Sequence, residues 1–136
     1  MKFKEKLDPK TVIYQDKIEK LFDIETVETF LELEKTIQDY WNVDRPSANF
    51  LNLMIKIKNA KSALEIGTSN GYSSIWIAKA LLETGGKLTT IEYWEKRACL
   101  ARENFKKTGT DKIITTITGD AVEILRDMKE KDEQRF

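Results

Sequence analysis

The chain has 136 residues, of which 40% are hydrophobic and 34% charged, and its 23 basic and 23 acidic side chains give a formal net charge of zero. This length suits one domain, and the apolar content argues against disorder. A balanced charge gives no overall field to attract nucleic acid or an acidic membrane, although a local basic patch is compatible with it. The sequence contains no histidine, which excludes His-based triads, zinc sites and general bases within it.

The N-terminal residues and the cysteine content predict a cellular location. Residues 1–8 are charged and lack the apolar core of a signal peptide, and no window approaches the ~18 apolar residues of a membrane span. Cys99 is the only cysteine, so no intrachain disulfide can form. Its position on an apolar helical stripe predicts a packing role. We therefore expect a cytoplasmic protein.

Residues 1–58 are predicted to form a helical cap of two or three helices. The first can begin at Asp8-Pro9 and continues to about Phe22. The second is expected from about Glu25, with an apolar stripe formed by Val27, Phe30, Leu31, Ile37 and Trp41. Pro46 suits the start of a third helix, which carries Phe50, Leu53, Met54 and Ile57.

The centre of the chain combines a strand, a loop of small residues and a helix. Ser62 to Ile66 is a short, mostly apolar run that suits a buried strand, and Gly67 to Gly71 forms the loop. Helical apolar spacing begins at Tyr72. This order places the unpaired N–H groups of the helix start, with their partial positive charge, close to any ligand above the end of the strand.

Two classes of nucleotide ligand compete for this loop. The dinucleotide fingerprint Gly-x-Gly-x-x-Gly fails, because its second and third glycines are replaced by Ser69 and Tyr72. Glu65 would repel a pyrophosphate but attract an ammonium group. S-adenosylmethionine carries an ammonium, which Glu65 could hold, and a carboxylate, which the helix start at Tyr72-Ser73 could hold. The alternative is that Glu65 is an ordinary acid at a strand end and that the glycines only form a turn.

Two further strand patterns also end in acids. Lys87 to Glu92 ends in a carboxylate that could accept hydrogen bonds from ribose hydroxyls. Lys112 to Ile117 leads into Gly119-Asp120-Ala121, where Asp120 could accept from an adenine amino group. Ligands of open α/β sheets bind at the carboxyl ends of strands. Three consecutive strands with an acid there argue against coincidence.

These segments resemble a known family. The run LEIGTSNGYSS (residues 64–74), together with Thr90-Ile91-Glu92, Ala101-Arg102-Glu103-Asn104-Phe105 and Gly119-Asp120-Ala121, resembles the class I S-adenosylmethionine-dependent methyltransferases. It is most similar to the small bacterial O-methyltransferases related to catechol and caffeoyl-CoA O-methyltransferase. The resemblance covers roughly residues 42–125 and implies that Asn42-Val43 closes over the cofactor. The cofactor-binding residues that it implies, together with the reasoning above, are Val43, Glu65, Gly67, Thr68, Ser69, Gly71, Tyr72, Ser73, Glu92, Tyr93, Asp120 and Ala121.

The expected fold is the N-terminal half of a Rossmann-like methyltransferase fold. Its class is α/β, with strand order 3-2-1 and helices on both faces, preceded by two or three helices. We expect the cofactor-binding domain to cover residues 59–136. The resemblance implies an O-methyltransferase that acts on a small-molecule hydroxyl or on a tRNA hydroxy-uridine. The alternatives are a non-catalytic module that binds S-adenosylmethionine and, as a weaker candidate, an NAD-dependent oxidoreductase.

The chain departs from the family pattern at its C-terminal end. Family members continue into a fourth strand whose Asp-rich loop supplies metal ligands and a catalytic base, and the chain is expected to stop before that strand. We therefore predict no catalytic or metal-binding residues, and expect Mg²⁺ only in a full-length version. The first strand should have an open edge, which predicts self-association or low stability. Ile75, Trp76 and Ile77 are not all expected to be buried.

Overall fold

The computed structural model describes residues 21–131. The predicted first helix lies almost entirely in residues 1–20, outside the described residues. The described elements, in chain order, are α1 (Ile24–Glu34), α2 (Ile37–Tyr40), α3 (Arg45–Lys58), β1 (Ser62–Ile66), α4 (Tyr72–Thr84), β2 (Lys87–Glu92), α5 (Glu95–Lys107), a 3₁₀ turn (Asp111–Ile113), β3 (Ile114–Thr118) and α6 (Ala121–Glu130).

Three helices begin at an aspartate that caps them. The side chain of Asp23 accepts from the backbone N–H of Thr26 at the start of α1, and Asp44 does the same for α3. Asp120 caps α6. Each carboxylate satisfies N–H groups that have no partner inside the helix and lies at the positive end of the helix dipole. The predicted helix boundary near Asp23 follows from this cap.

The predicted second helix is divided in two. α1 ends at Glu34, and the short helix α2 ends at Tyr40, followed by Trp41 in a left-handed conformation (φ 54°). The predicted apolar stripe from Val27 to Trp41 is therefore wrong at its C-terminal end. Val27 and Phe30 are buried, but Trp41 is 86% exposed. The apolar spacing continued across Lys35 and Thr36, and spacing alone does not show that the chain changes direction there.

The sheet has three parallel strands in the order β1-β2-β3, which confirms the predicted order. The register pairs Ser62 with Lys87 and Leu88 with Ile114. β2 lies between its neighbours, and Leu88, Thr90, Ile91 and Glu92 are buried in it. Within residues 21–131, β1 pairs with β2 alone, so its other edge is open.

The core is built by α1 against α4 and α5. Phe30 of α1 stacks on Trp76 of α4, with ring centroids 4.7 Å apart, and Ile75 is buried in the same cluster. Ile77 packs with Leu88 of β2 in a second cluster. The expectation that Ile75, Trp76 and Ile77 are not all buried is therefore wrong: Ile75 and Trp76 are buried in a cluster with residues of α1 and α5, and Ile77 is buried with Leu88 of β2.

The exposed apolar surface lies elsewhere. Phe50, Leu53, Met54 and Ile57 of α3 are exposed, whereas Ala48 and Asn52 form its buried side. Cys99 is also exposed, so its predicted packing role is wrong. Apolar residues on one helix face show where a contact is favourable, but not whether another element covers that face.

Candidate functional site

A cavity of about 520 Å³ lies at the carboxyl ends of β1 and β2. Ligands of open α/β sheets bind at this edge, and the volume falls in the range of small-molecule sites. The lining residues come from the end of α2 and the connector after it, from α3, from the ends of β1 and β2, from the loops after the three strands, and from the first turns of α4, α5 and α6. They are Tyr40, Trp41, Asn42, Val43, Leu51, Glu65, Ile66, Gly67, Thr68, Ser69, Ser73, Ile91, Glu92, Tyr93, Trp94, Arg97, Gly119 and Ala121.

The loop after β1 is anchored to β2. The N–H groups of Gly67 and Thr68 donate to the carbonyl oxygen of Ile91 at 2.8 and 3.3 Å. The hydroxyls of Thr68 and Thr90 are hydrogen-bonded at 2.6 Å. Gly67 and Gly71 both have φ +92°, a conformation that L side chains rarely adopt. The loop therefore has a defined shape under the cavity.

Glu92 connects this loop to the segment after β2. Its carboxylate accepts from the backbone N–H of Ser69 at 2.7 Å and from that of Trp94 at 3.0 Å. Its carbonyl oxygen accepts from the N–H of Gly119 at 2.9 Å. Glu92 is buried, so these bonds replace water around its charge. One residue thus organises the three loops at this edge of the sheet.

Glu65 lies near the end of β1, and its carboxylate reaches the start of α4, where hydroxyl groups hold it. It accepts from Ser73 at 2.6 Å, from Thr90 at 2.7 Å and from Ser74. Burial raises the pKa of the Glu65 carboxyl above its ordinary value, although the three hydroxyls lower it, and the nearby Glu92 raises it further. Its charged form is therefore disfavoured while no cation lies beside it.

The connector after α2 covers the loop. The hydroxyl of Ser69 donates to the carbonyl oxygen of Tyr40 at 2.7 Å. The guanidinium of Arg97 lies over the Tyr40 ring, 5.7 Å from its centroid, within the range of a cation–π interaction. Trp41 follows in its left-handed conformation. Together these contacts hold the connector in place as one wall of the cavity.

Nine of the twelve predicted residues line the cavity: Val43, Glu65, Gly67, Thr68, Ser69, Ser73, Glu92, Tyr93 and Ala121. Asn42, predicted together with Val43, lines it too. Cofactor binding by these residues stays a prediction.

The other three predicted residues lie beside the cavity. A Cβ on Gly71 would lie 2.6 Å from the Phe105 ring, so this glycine allows α5 to pack against the loop. The ring of Tyr72 is buried in the core and its hydroxyl donates to Glu34 at 3.1 Å. Burial and the nearby Glu34 carboxylate raise the pKa of Tyr72. Asp120 is exposed, and its Oδ1 accepts from the N–H groups of Val122 and Glu123.

Sequence reasoning missed eight lining residues: Leu51, Ile66, Ile91, Gly119, Tyr40, Trp41, Trp94 and Arg97. One signal could have found the last two: the first turn of a helix that follows an acid-ended strand faces the same edge as the acid. No comparable signal existed for Tyr40 and Trp41, because their position depends on how the connector folds back over the loop.

The described part of the chain contains no group of three or more His, Cys, Asp and Glu side chains that could hold a metal ion. None of the helices between residues 21 and 131 is both long and apolar enough to span a bilayer.

The sequence matches a family model described as O-methyltransferase over residues 22–136. The chain therefore belongs to the O-methyltransferase family, as the resemblance of residues 64–74 implied. A relative named catechol O-methyltransferase, from Niastella koreensis, is 38% identical over 95 residues, which are 70% of this chain and 42% of the relative.

Two solved structures extend the comparison to the fold. The O-methyltransferase from Bacillus cereus in complex with S-adenosylhomocysteine has a TM-score of 0.69 and 30% identity, and covers 84% of this chain and 50% of that one. The O-methyltransferase TomG from Streptomyces achromogenes in complex with S-adenosylmethionine has a TM-score of 0.66 and 32% identity, with 78% and 47% covered. The chain thus spans about half the length of these proteins and shares the Rossmann-like architecture of that half.

Proposed function

We propose that the cavity binds S-adenosylmethionine in the service of O-methyl transfer. The observation that carries the proposal is the placement of Glu65 and Glu92 at the ends of two adjacent strands, on either side of the loop from Gly67 to Gly71. The carboxylate of Glu65 lies at the start of α4, and that of Glu92 lies on the other side of the loop. Two carboxylates on either side of the loop suit a ligand with a cation at one end and a diol in the middle.

Glu92 is the proposed ribose acceptor. Its two carboxylate oxygens each accept one backbone N–H, and an ionised carboxylate offers about four acceptor sites. Two sites are left for the vicinal hydroxyls of a ribose. Because the carboxylate is already oriented by Ser69 and Trp94, it needs little rearrangement to accept them.

The methionine end is proposed to bind at Glu65 and α4. An ammonium beside Glu65 would offset the burial that raises its pKa, so ligand and carboxylate would each stabilise the charge of the other. α4 has 13 residues, and Gly71 provides no side-chain cap for it. Its first backbone N–H groups suit the cofactor carboxylate, whereas the Ser73 hydroxyl already donates to Glu65.

The adenine end is proposed to lie against Tyr93 and Ala121. Tyr93 and Trp94 are both 61% exposed and offer aromatic surface for a planar base. The predicted acceptor Asp120 uses Oδ1 to cap α6, so hydrogen bonding to an adenine amino group would use its Oδ2.

Methyl transfer is a direct attack of a substrate oxygen on the cofactor methyl group, and it depends on alignment of the two. We propose a small-molecule hydroxyl as the acceptor, in line with the name of the Niastella koreensis relative. A tRNA acceptor lacks support: Arg102, on the basic side of α5, is paired with Glu95 at 2.9 Å. No residue between 21 and 131 is assigned as metal ligand or catalytic base.

Calorimetric titration of the 136-residue chain tests the proposal. We expect S-adenosylhomocysteine to bind and NAD⁺ not to bind. Glu92→Ala should weaken the binding of S-adenosylhomocysteine. Equal binding of NAD⁺, or no binding of S-adenosylhomocysteine, would overturn the proposal. Transfer of a labelled methyl group to catechol then separates an enzyme from the alternative, a module that binds the cofactor without catalysis.

A further inference from the structure

A largely buried polar cluster joins the ends of three helices. Glu34 is the last residue of α1, Arg45 is the first of α3, and Tyr72 is the first of α4. The Nε atom of Arg45 donates to both carboxylate oxygens of Glu34, at 3.0 and 2.9 Å, and its Nη2 atom donates to Oε1. The Tyr72 hydroxyl donates to Oε2 of the same carboxylate at 3.1 Å. One carboxylate therefore connects all three helix ends.

The two charges of this cluster depend on each other. The side chains of Arg45 and Glu34 are only 14% and 19% exposed. The Nη1 atom of Arg45 is buried and finds no hydrogen-bond partner among residues 21–131. Loss of either residue would leave an unpaired charge with little access to water. A guanidinium bonded to both oxygens of a carboxylate also fixes the orientation of the two groups.

The segment between Glu34 and Arg45 forms one wall of the cavity. The two residues are 11 positions apart in the sequence, and residues 40–43 between them line the cavity. Their ion pair joins the two ends of this segment, where the chain leaves α1 and enters α3. The hydroxyl of Ser69 holds the segment at the carbonyl oxygen of Tyr40. The wall is therefore fixed at both ends and at one point between them.

Other contacts already hold α1 and α3 against α4. The rings of Phe30 and Tyr72 have centroids 5.5 Å apart, and the amide of Asn52 donates to the carbonyl oxygen of Trp76 at 2.7 Å. Buried ion pairs often stabilise a fold no better than apolar side chains of similar volume. What the pair adds is a fixed position of residues 40–43 relative to the first turn of α4.

We propose that Arg45 is a positioning residue for the cofactor. Through Glu34 and Tyr72 it holds the wall formed by residues 40–43 against the first turn of α4, so both are in place before the ligand binds. A site that is assembled for only part of the time binds more weakly in proportion to that fraction. This inference rests on the proposed function, because the ligand is the one proposed there.

Arg45→Met tests this role by calorimetry, because methionine has a long, flexible side chain without a charge. We expect the Kd for S-adenosylhomocysteine to rise by about tenfold, as it would if the wall were in place for about a tenth of the time. Lys56→Met is the matched control. Lys56 of α3 pairs with Glu83 of α4 at 3.1 Å, about three helical turns from Arg45, and its loss should leave the Kd unchanged.

The double variant Glu34→Gln/Arg45→Met separates positioning from stability. Arg45→Met alone should melt lower than the parent, because it leaves the charge of Glu34 unpaired. The double variant has no unpaired charge, and the new amide oxygen can still accept from the Tyr72 hydroxyl. Its melting temperature should therefore return close to that of the parent, while its affinity for S-adenosylhomocysteine stays weak.

Hydrogen exchange measured by mass spectrometry gives a readout without ligand. Amides of residues 35–44 should exchange faster in Arg45→Met and in the double variant than in the parent, but not in Lys56→Met. Amides of α4 serve as the reference for a general loss of stability.

Three results would overturn the proposal: an unchanged Kd in Arg45→Met, a double variant that regains affinity together with stability, or unchanged exchange of residues 35–44 in Arg45→Met. In each of these cases the parent still binds S-adenosylhomocysteine, and the proposed function stands. If the parent itself does not bind S-adenosylhomocysteine, the proposed function fails, and this inference fails with it.

Discussion

The carboxylate of Glu92 accepts a hydrogen bond from the backbone N–H of Ser69 at 2.7 Å, across 23 residues of sequence. Ser69 has a positive φ of 51°, which is uncommon for a residue other than glycine. The end of β2 therefore stabilises a conformation in the loop after β1 that this loop would adopt less readily alone.

Replacement of Glu92 should reduce both stability and binding. Glu92→Ala leaves the N–H groups of Ser69 and Trp94 without their acceptors, and we expect the free energy of unfolding to fall by about 1–3 kcal/mol. Binding of S-adenosylhomocysteine should weaken by about 1.5–3 kcal/mol, the range for hydrogen bonds to charged groups. Urea denaturation and calorimetry measure the two effects. Glu92→Gln keeps one carbonyl oxygen, so its stability and its affinity should lie between those of Glu92→Ala and those of the parent. Unchanged affinity in both variants would contradict the assignment.

Glu65→Gln should separate stability from binding. Because the folded-state pKa of Glu65 is raised, the folded protein binds this proton more tightly than the unfolded chain. The contribution of Glu65 to stability is thus greatest below the unfolded pKa and is lost as pH rises through the folded one. At neutral pH the variant should therefore melt higher than the parent, yet bind S-adenosylhomocysteine more weakly, because it lacks the charge that faces the ammonium. If the variant melts lower than the parent at neutral pH and higher at acidic pH, the predicted direction of the pH dependence is wrong.

The two loop glycines form a matched pair that separates backbone strain from steric overlap. Both have φ +92°, but a Cβ at Gly71 would lie 2.6 Å from the Phe105 ring, whereas one at Gly67 would meet nothing within 4 Å. Gly67→Ala should cost about 1–2 kcal/mol from the backbone alone. Gly71→Ala should cost about 1–3 kcal/mol more, because α5 must move. Thermal unfolding compares the two, and equal losses would refute the role of Phe105.

The ion pair between Asp23, which caps α1, and Lys79 of α4 should affect how the free energy of unfolding changes at acidic pH. Burial raises the pKa of Asp23, but hydrogen bonds from Lys79 and Thr26 outweigh it and lower the pKa to about 2. The contribution of Asp23 is therefore present above 3.8 and lost as pH falls towards 2. Asn also caps helices well, so Asp23→Asn should keep the cap and lose only the pair with Lys79. Since the Asp23 side chain is 50% exposed, the loss at neutral pH should be about 0.5–1 kcal/mol. Denaturation at several pH values would show it as a shallower acid dependence.

The strands could be predicted from sequence because local signals agreed there. Ser62–Ile66 and Lys87–Glu92 have the predicted bounds, since apolar runs, glycine turns and terminal acids coincide. β3 is shifted to Ile114–Thr118 because a 3₁₀ turn takes up Asp111–Ile113. These signals also identified most of the cavity.

The errors concern contacts between elements distant in sequence. Phe30 covers Trp76 from 46 positions away, and nothing in the spacing around Trp76 indicated that partner. In the same way, the sequence places Phe50, Leu53, Met54 and Ile57 on one helix, but their spacing does not show that they are exposed. Periodicity identifies a face of a helix, and tertiary structure decides what covers it.

The distribution of the three tryptophans gives the chain an internal optical reporter. Trp76 is 2% exposed in the core, whereas Trp41 and Trp94, at 86% and 61%, line the cavity. Indole emission moves to shorter wavelength when the ring leaves water, so a ligand in the cavity should shift the fluorescence of Trp41 and Trp94 and leave that of Trp76 as a constant background. Occupancy of the cavity could then be followed by fluorescence in the unlabelled chain, with Trp41→Phe and Trp94→Phe showing which wall the ligand touches.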